Sequence, residues 1–430
     1  LHILSEVHII RITVHISQKI KKIKIMKNKI INAYIYSYAS LLVIIASYKI
    51  IALLLHKNYM DAFADLFINY QGGFIRRGLI GSLLLSIYQI SGISPIALAI
   101  VLSIAAYSFI FLYCLSKLKP YKYGFAFLTP CYLLGGIGIY GLGYMRRDYI
   151  ILSAFLLITF LWKRLSARLW LYISLFICII TILCYEPFLF VCLPYFAILN
   201  QLKCQKVRTT IIALFILLLT FTICCLYPGT PIAKNQIWES TRSFLPQIGT
   251  IEFIGRNSME VMKFHFYNNF IRIEHNVPCL AISLVSVIGM TYYLTNGLYV
   301  FNKDKFQVND RKGIMFYLCL SYIFQIPMFI CLSTDYSRIC TYSAFTTIIM
   351  FTTIKYDTLV RYIPNKIDKK LNSIIEFTDI VFKPTKFKIF SIMLIIGIAE
   401  WTGGGIGQFI YSSELGTIIK CIKTIMNFHL

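Results

Sequence analysis

About ten apolar stretches run through this chain, most of them near the ~20 residues that an α-helix needs to cross a ~30 Å hydrocarbon core. Backbone in lipid must satisfy its own N–H and C=O groups, so a chain built this way folds as a helical bundle in a membrane. Only 14% of the residues are charged, against the roughly 25% of an ordinary soluble domain, and no stretch is left to form a separate soluble core. The expected fold class is an all-α polytopic integral membrane protein. It has about 11 transmembrane helices, one re-entrant or interfacial helix and one large outer loop.

The formal charge of +24 would suit a nucleic-acid partner, but the lysines sit in short segments between apolar runs. That is the positive-inside pattern, and it leaves no basic face for nucleic acid. Threaded on this rule, residues 1–33 are a basic cytoplasmic N-terminus, of which 1–25, ahead of Met26, read as a candidate upstream extension. Residues 34–410 form the transmembrane bundle, with a large outer loop at 228–276 and a basic cytoplasmic loop at 355–388, and 411–430 form a C-terminal tail. Crossings are expected at 34–55, 94–115, 124–144, 149–162, 210–227, 277–300, 314–333, 339–354 and 387–399. Residues 78–90 are too short to cross comfortably and read as the re-entrant or interfacial helix. Residues 169–199 are apolar except for Glu186 and have basic flanks on both sides. Two short crossings that turn at Glu186-Pro187 fit this, as does one tilted span with Glu186 in mid-membrane.

Ionisable groups at a bilayer edge are expensive to keep, so several on one face mark a candidate site. QGGFIRRGLIG carries Arg76 and Arg77, YMRRDY carries Arg146, Arg147 and Asp148, and TDYSRI carries Asp335 and Arg338. A guanidinium keeps its charge and presents a planar fork that matches a phosphate, while Gly72-Gly73 lets backbone amides approach the same anion. Anchoring at lipid headgroups is the other use of such arginines, and mutual neutralisation is the other use of the Arg-Asp pairs. Glu186 stands alone among apolar residues, a setting expected to raise its pKa toward general acid or base work. A structural carboxylate bonded to a neighbouring span is the alternative. Asp61 and Asp65, four apart in the first outer loop, form a possible acidic motif or are simply solvated.

Thirteen cysteines lie mostly inside apolar runs with no C-x-x-C pair, and the histidines are scattered. Neither a metal site nor a cofactor is expected, and the GGGIG at 403–407 follows no strand, so it is no nucleotide fingerprint.

The GGFIRRGL, RRDY, YEPF and DYSR blocks, the span count, the outer arginines and the large outer loop together resemble the Wzy-type O-antigen or capsule repeat-unit polymerases. The resemblance implies a multi-pass protein of the bacterial inner membrane with its active site facing the periplasm. It also implies transfer of a glycan from an undecaprenyl-pyrophosphate-linked oligosaccharide, without metal, and a chain-length regulator and a flippase as partners beside the lipid bilayer. Arg76, Arg77, Arg146, Arg147 and Arg338 would bind the pyrophosphate, and Glu186, Asp148 or Asp335 would take the acceptor's proton. The chain also resembles GT-C glycosyltransferases, which use polyprenyl-phosphate sugar donors and carry an acidic motif in the first outer loop. Asp61 and Asp65 depart from that motif in being four residues apart. A flippase or other transporter of the same lipid-linked sugar would share the basic, polytopic layout.

Overall fold

In the computed structural model the described residues are 64–121, 147–302, 304–332 and 336–395, less single positions within them, together with isolated positions nearer the termini. Every regular element among them is helical. A 3-10 turn at Asp65–Phe67 leads into α1 (Gly78–Ser91) and α2 (Pro95–Leu118). Next come α3 (Asp148–Arg164), α4 (Ala167–Cys184), α5 (Phe188–Cys204) and α6 (Val207–Leu226). The segment expected as the large outer loop holds two short helices, α7 (Pro231–Thr241) and α8 (Ser258–Phe266). The last third consists of α9 (Ile273–Phe301), α10 (Val308–Phe324), α11 (Tyr336–Thr353), α12 (Tyr356–Val360), α13 (Asn365–Phe382) and α14 (Lys386–Ile395).

Local sequence sets several of these boundaries. Gly92 ends α1 in the left-handed conformation, and Pro95 starts α2 at a position where its missing N–H costs nothing. Pro187 stands at the N-cap of α5, and the chain breaks there between two helices that pack side by side. The alternative of a single tilted helix through Glu186 is thereby excluded. By length and composition α2, α4 and α6 can each cross a membrane, and α1 and α5 are shorter apolar helices. On α6 the exposed residues Ile211, Phe215, Leu218, Leu219 and Ile223 make an outward apolar stripe opposite buried Ala213 and Leu217. A helix apolar all round suits lipid on its outer side.

The core is built around α5, which packs against α3, α4, α6, α10 and α11. Phe188, Tyr195 and Phe196 are fully buried there, and the Tyr195 hydroxyl bonds Thr347 on α11. Between α10 and α11, Ser321, Gln325 and Ser343 bond one another through links of 3.0 Å, which satisfies three buried polar groups across one helix pair.

Two segments differ from expectation. The run before residue 314 reads as cytoplasmic loop because of its charges, yet α10 begins at Val308, where Gln307 and Asp310 form a reciprocal capping box. Arg311 and Lys312 therefore lie on the helix, buried and paired with Asp379 and Asp368 of α13. The segment 355–388, expected as a loop, contains α12 and α13, the second held by these pairs and by Leu371 and Ile375 packed on Met315 and Ile363. The crossings expected at 34–55 and 124–144, the tail beyond 395 apart from Ile419, and Asp61, Arg146 and Asp335 lie outside the described residues.

Candidate functional site

The segment from Ala64 to Arg77 is folded tightly against its neighbours. Leu66 and Phe67 are buried, and Phe67 meets Phe244 edge to face at 5.3 Å. The Asn69 side chain accepts from the Gln71 N–H at 3.0 Å and donates to Ser240 on α7 at 3.0 Å. At Gly72 a Cβ would stand 2.4 Å from the Ala233 Cα, and at Gly81 one would stand 2.2 Å from the Ile68 carbonyl oxygen. In this block the glycines at 72 and 81 thus permit close packing. Gly73, in the left-handed region at φ 96, borders open space.

This packing brings four of the expected residues into one network. Arg77 grips Glu186 through Nε and Nη2, with N–H···O distances of 2.7 Å to each carboxylate oxygen. Its other nitrogen stands 3.7 Å from Asp65. The Arg77 guanidinium also lies 4.9 Å over the Tyr185 ring. Arg147 pairs with the Asp65 carboxylate at 2.9 Å and donates to the backbone oxygens of Arg77 at 2.9 Å, of Cys184 at 2.5 Å, and of Asp65. The ends of α1, α3 and α4 thus meet on one guanidinium that is 1% exposed. Arg77 itself has φ 65, a left-handed conformation uncommon for a side chain of its size, and its clamps on both sides hold it there.

Electrostatics follow the contacts. Burial alone would raise the Glu186 pKa, but the charge and hydrogen bonds of Arg77, with Arg76 nearby, push it from the ordinary 4.5 down to about 2. This corrects the expectation of a raised value: the apolar sequence around Glu186 conceals a cation that arrives from residue 77. Burial lowers the Arg77 pKa, yet the Glu186 and Asp65 carboxylates outweigh it and hold the guanidinium above the usual arginine range. Arg76 is the exception. Burial, and then the like charge of Arg77, push it below that range against the pull of Glu186. Its backbone N–H bonds the Tyr227 carbonyl at 2.8 Å, but its half-buried guanidinium has no hydrogen bond or ion pair among the described residues. Next to this backbone bond Tyr70 stacks on Phe74 at 5.5 Å, and Phe74 meets Tyr227 at 5.5 Å, with Phe74 and Tyr227 both exposed. A cation without a direct ion pair among the described residues, on which Glu186 acts only through space, therefore belongs to a stretch of chain whose backbone is tied to an aromatic ledge.

Among the other expected residues, Asp148 opens α3 next to Arg147, where a carboxylate complements the positive end of the helix dipole. Arg338 lies in the first turn of α11, and its side chain is outside the described set. No group of three His, Cys, Asp or Glu side chains that could hold a metal occurs among the described residues. Sequence reasoning did not find the ledge. Its one signal was Tyr227 at the end of an apolar run, and nothing in the sequence ties that position to Phe74. Compared with family models, curated proteins and solved structures, the chain has no match.

Proposed function

We propose that the chain is a membrane glycosyltransferase of the repeat-unit polymerase type, acting on undecaprenyl-pyrophosphate-linked oligosaccharide at the periplasmic face of the bacterial inner membrane. The observation that carries this is Arg76, a half-buried guanidinium without a direct ion pair or hydrogen bond among the described residues, whose backbone N–H is bonded to Tyr227 next to the exposed Phe74 ring. A pyrophosphate would supply the missing charge, and sugar rings stack on exposed aromatic faces. In the reaction the acceptor hydroxyl attacks the anomeric carbon and the C–O bond to the pyrophosphate breaks. Arg76 stabilises the charge that builds on the departing phosphate.

The other arginines take different roles in this reading. Arg77 and Arg147 have their donors committed to Glu186, Asp65 and backbone oxygens, so they position the loop that carries Arg76. Glu186, held ionised by Arg77, is too weak a base to remove a hydroxyl proton, which leaves Asp148 and Asp335 as the carboxylates for that step. Asp65 lies between two guanidiniums, which speaks against the GT-C alternative, where a first-loop acid must remain available.

The test is a gene deletion in the host with the surface glycan separated by size. Loss of the ladder with a single repeat unit remaining, not restored by the Arg76→Ala chain, is the expected outcome. Complete loss of glycan would replace this reading with a flippase, and an unchanged ladder would end it.

A further inference from the structure

The helix α13 has more apolar surface than the protein covers. One side, with Leu371 and Ile375, packs on Met315 and Ile363. Next to it, positions 367, 370, 374, 377 and 381 follow one another at spacings of three and four and so form a continuous stripe. The stripe is apolar except for Lys370, and Ile367, Ile374, Phe377 and Val381 are between 40 and 62% exposed. Around it the charge is strongly positive. From Arg361 to Lys388 the chain carries seven lysines or arginines, all exposed, against three acids, of which Asp368 and Asp379 are already paired with Lys312 and Arg311.

The contacts of α13 also fix how it lies. Asp368 and Asp379 stand about 16 Å apart along α13, yet their partners Lys312 and Arg311 are neighbours on α10, so α13 crosses α10 instead of following it. Its far end reaches the next helix, α9, where the Tyr292 hydroxyl donates to the Phe382 carbonyl at 3.1 Å. A helix that meets two bundle helices in turn lies across the bundle, along the plane of a bilayer. The crossing falls at the basic end of the molecule. Just ahead of α10, Lys305 donates to the Pro120 carbonyl beyond α2 and Phe306 meets Tyr121 at 5.4 Å, while Lys203 of α5 donates to the Trp162 carbonyl near the end of α3. By the positive-inside rule this end faces the cytoplasm, where the leaflet carries anionic lipid.

We propose that α13 lies on the anionic lipid surface of the cytoplasmic leaflet, with its apolar stripe at the boundary of headgroups and acyl chains and its lysines on lipid phosphates. Lys370 favours lipid over a protein partner as the occupant. In a dry protein interface its charge in mid-stripe would be costly, whereas at a bilayer its stem lies on the apolar surface and its ammonium reaches the phosphates. The proposal rests neither on Arg76 nor on the reaction assigned to the other end.

The test uses the full chain in bilayers of phosphatidylcholine, alone or with about a third phosphatidylglycerol. In a Phe377→Trp chain, with the parent as blank, the added fluorescence is expected to be quenched more by lipid brominated near the headgroup than by iodide in the water. Stronger quenching by iodide would overturn the proposal, and quenching by neither would replace lipid with a second copy or another protein. Hydrogen exchange gives a second measurement. Phosphatidylglycerol is expected to slow exchange in α13 about ten-fold with α5 unchanged, and Lys366→Gln with Lys370→Gln to remove most of that slowing. Exchange in α13 indifferent to phosphatidylglycerol, or slowing kept in full by the double variant, would overturn the proposal.

Discussion

Arg147 and Arg311 are both 1% exposed, yet they fasten different things. They stand at opposite ends of the bundle: α3 starts beside Arg147 and ends at Lys163, about 25 Å away, on a cavity wall shared with Asp310 next to Arg311. Arg147 bonds backbone oxygens of three segments and a carboxylate that is itself mostly covered, so it locks fixed ends of helices to one another. Arg311 bonds Asn296 and the Asp379 carboxylate, and Asp379 is 39% exposed on the peripheral helix α13. The comparison teaches that burial of an arginine says little about ligand binding until its donors are accounted for. At the Arg147 end that accounting leaves Arg76 over. At the Arg311 end the buried arginine is spent on holding a surface helix.

The largest effect should come from Arg147→Ala. It removes the nearer of the two guanidiniums on the Asp65 carboxylate and a donor to three backbone oxygens, and loss of one partner of a buried pair costs about 3–5 kcal/mol. The measurement is melting temperature and folded yield in detergent, and a variant as stable as the parent would remove the distinction between the two ends. Arg76→Ala should behave in the opposite way, with stability within about 0.5 kcal/mol of the parent and polymer formation reduced about 100-fold. A comparable loss of stability would turn Arg76 into another fastener.

Glu186 gives a sharper test through pH. Its folded pKa is depressed, so its contribution to stability is complete above the ordinary 4.5 and is lost as pH falls toward about 2. Glu186→Gln should flatten that part of the stability profile, and an unchanged slope would mean that Arg77 does not hold the carboxylate. The smallest effect belongs to Lys312→Ala at the other end. Its partner Asp368 is about a third exposed, and such pairs contribute about 1 kcal/mol or less. Faster proteolysis around α13 with little change in melting temperature is the expected result.

Much of the fold was legible because apolar length and proline placement act locally. The positions of α1, α2, α3 and α6 and the break at Glu186-Pro187 follow from such signals. In the same way Arg76, Arg77, Arg147 and Glu186 stood out as charges in an apolar setting, whereas Asp65 read as one half of an acidic motif with Asp61 or as a solvated loop acid. What was not legible depends on partners far apart in sequence. Arg77 meets Glu186 109 positions away and Arg311 meets Asp379 68 away. Those pairings reverse the expected shift of Glu186 and turn a charged segment, taken for loop, into the start of α10. A charge reads as solvent exposure until the residue that neutralises it is known.

The separation between Arg77 and Glu186 also has a temporal side. At about 5–20 residues per second of synthesis, the 109 positions between them take roughly 5–20 s to emerge. During that interval α1 has left the ribosome while the carboxylate that completes its first turn does not yet exist. The turn at residue 77 can reach its final geometry only once the α4–α5 hairpin has been made, so the Arg77 end of the molecule is assembled late although Arg76 and Arg77 are made early.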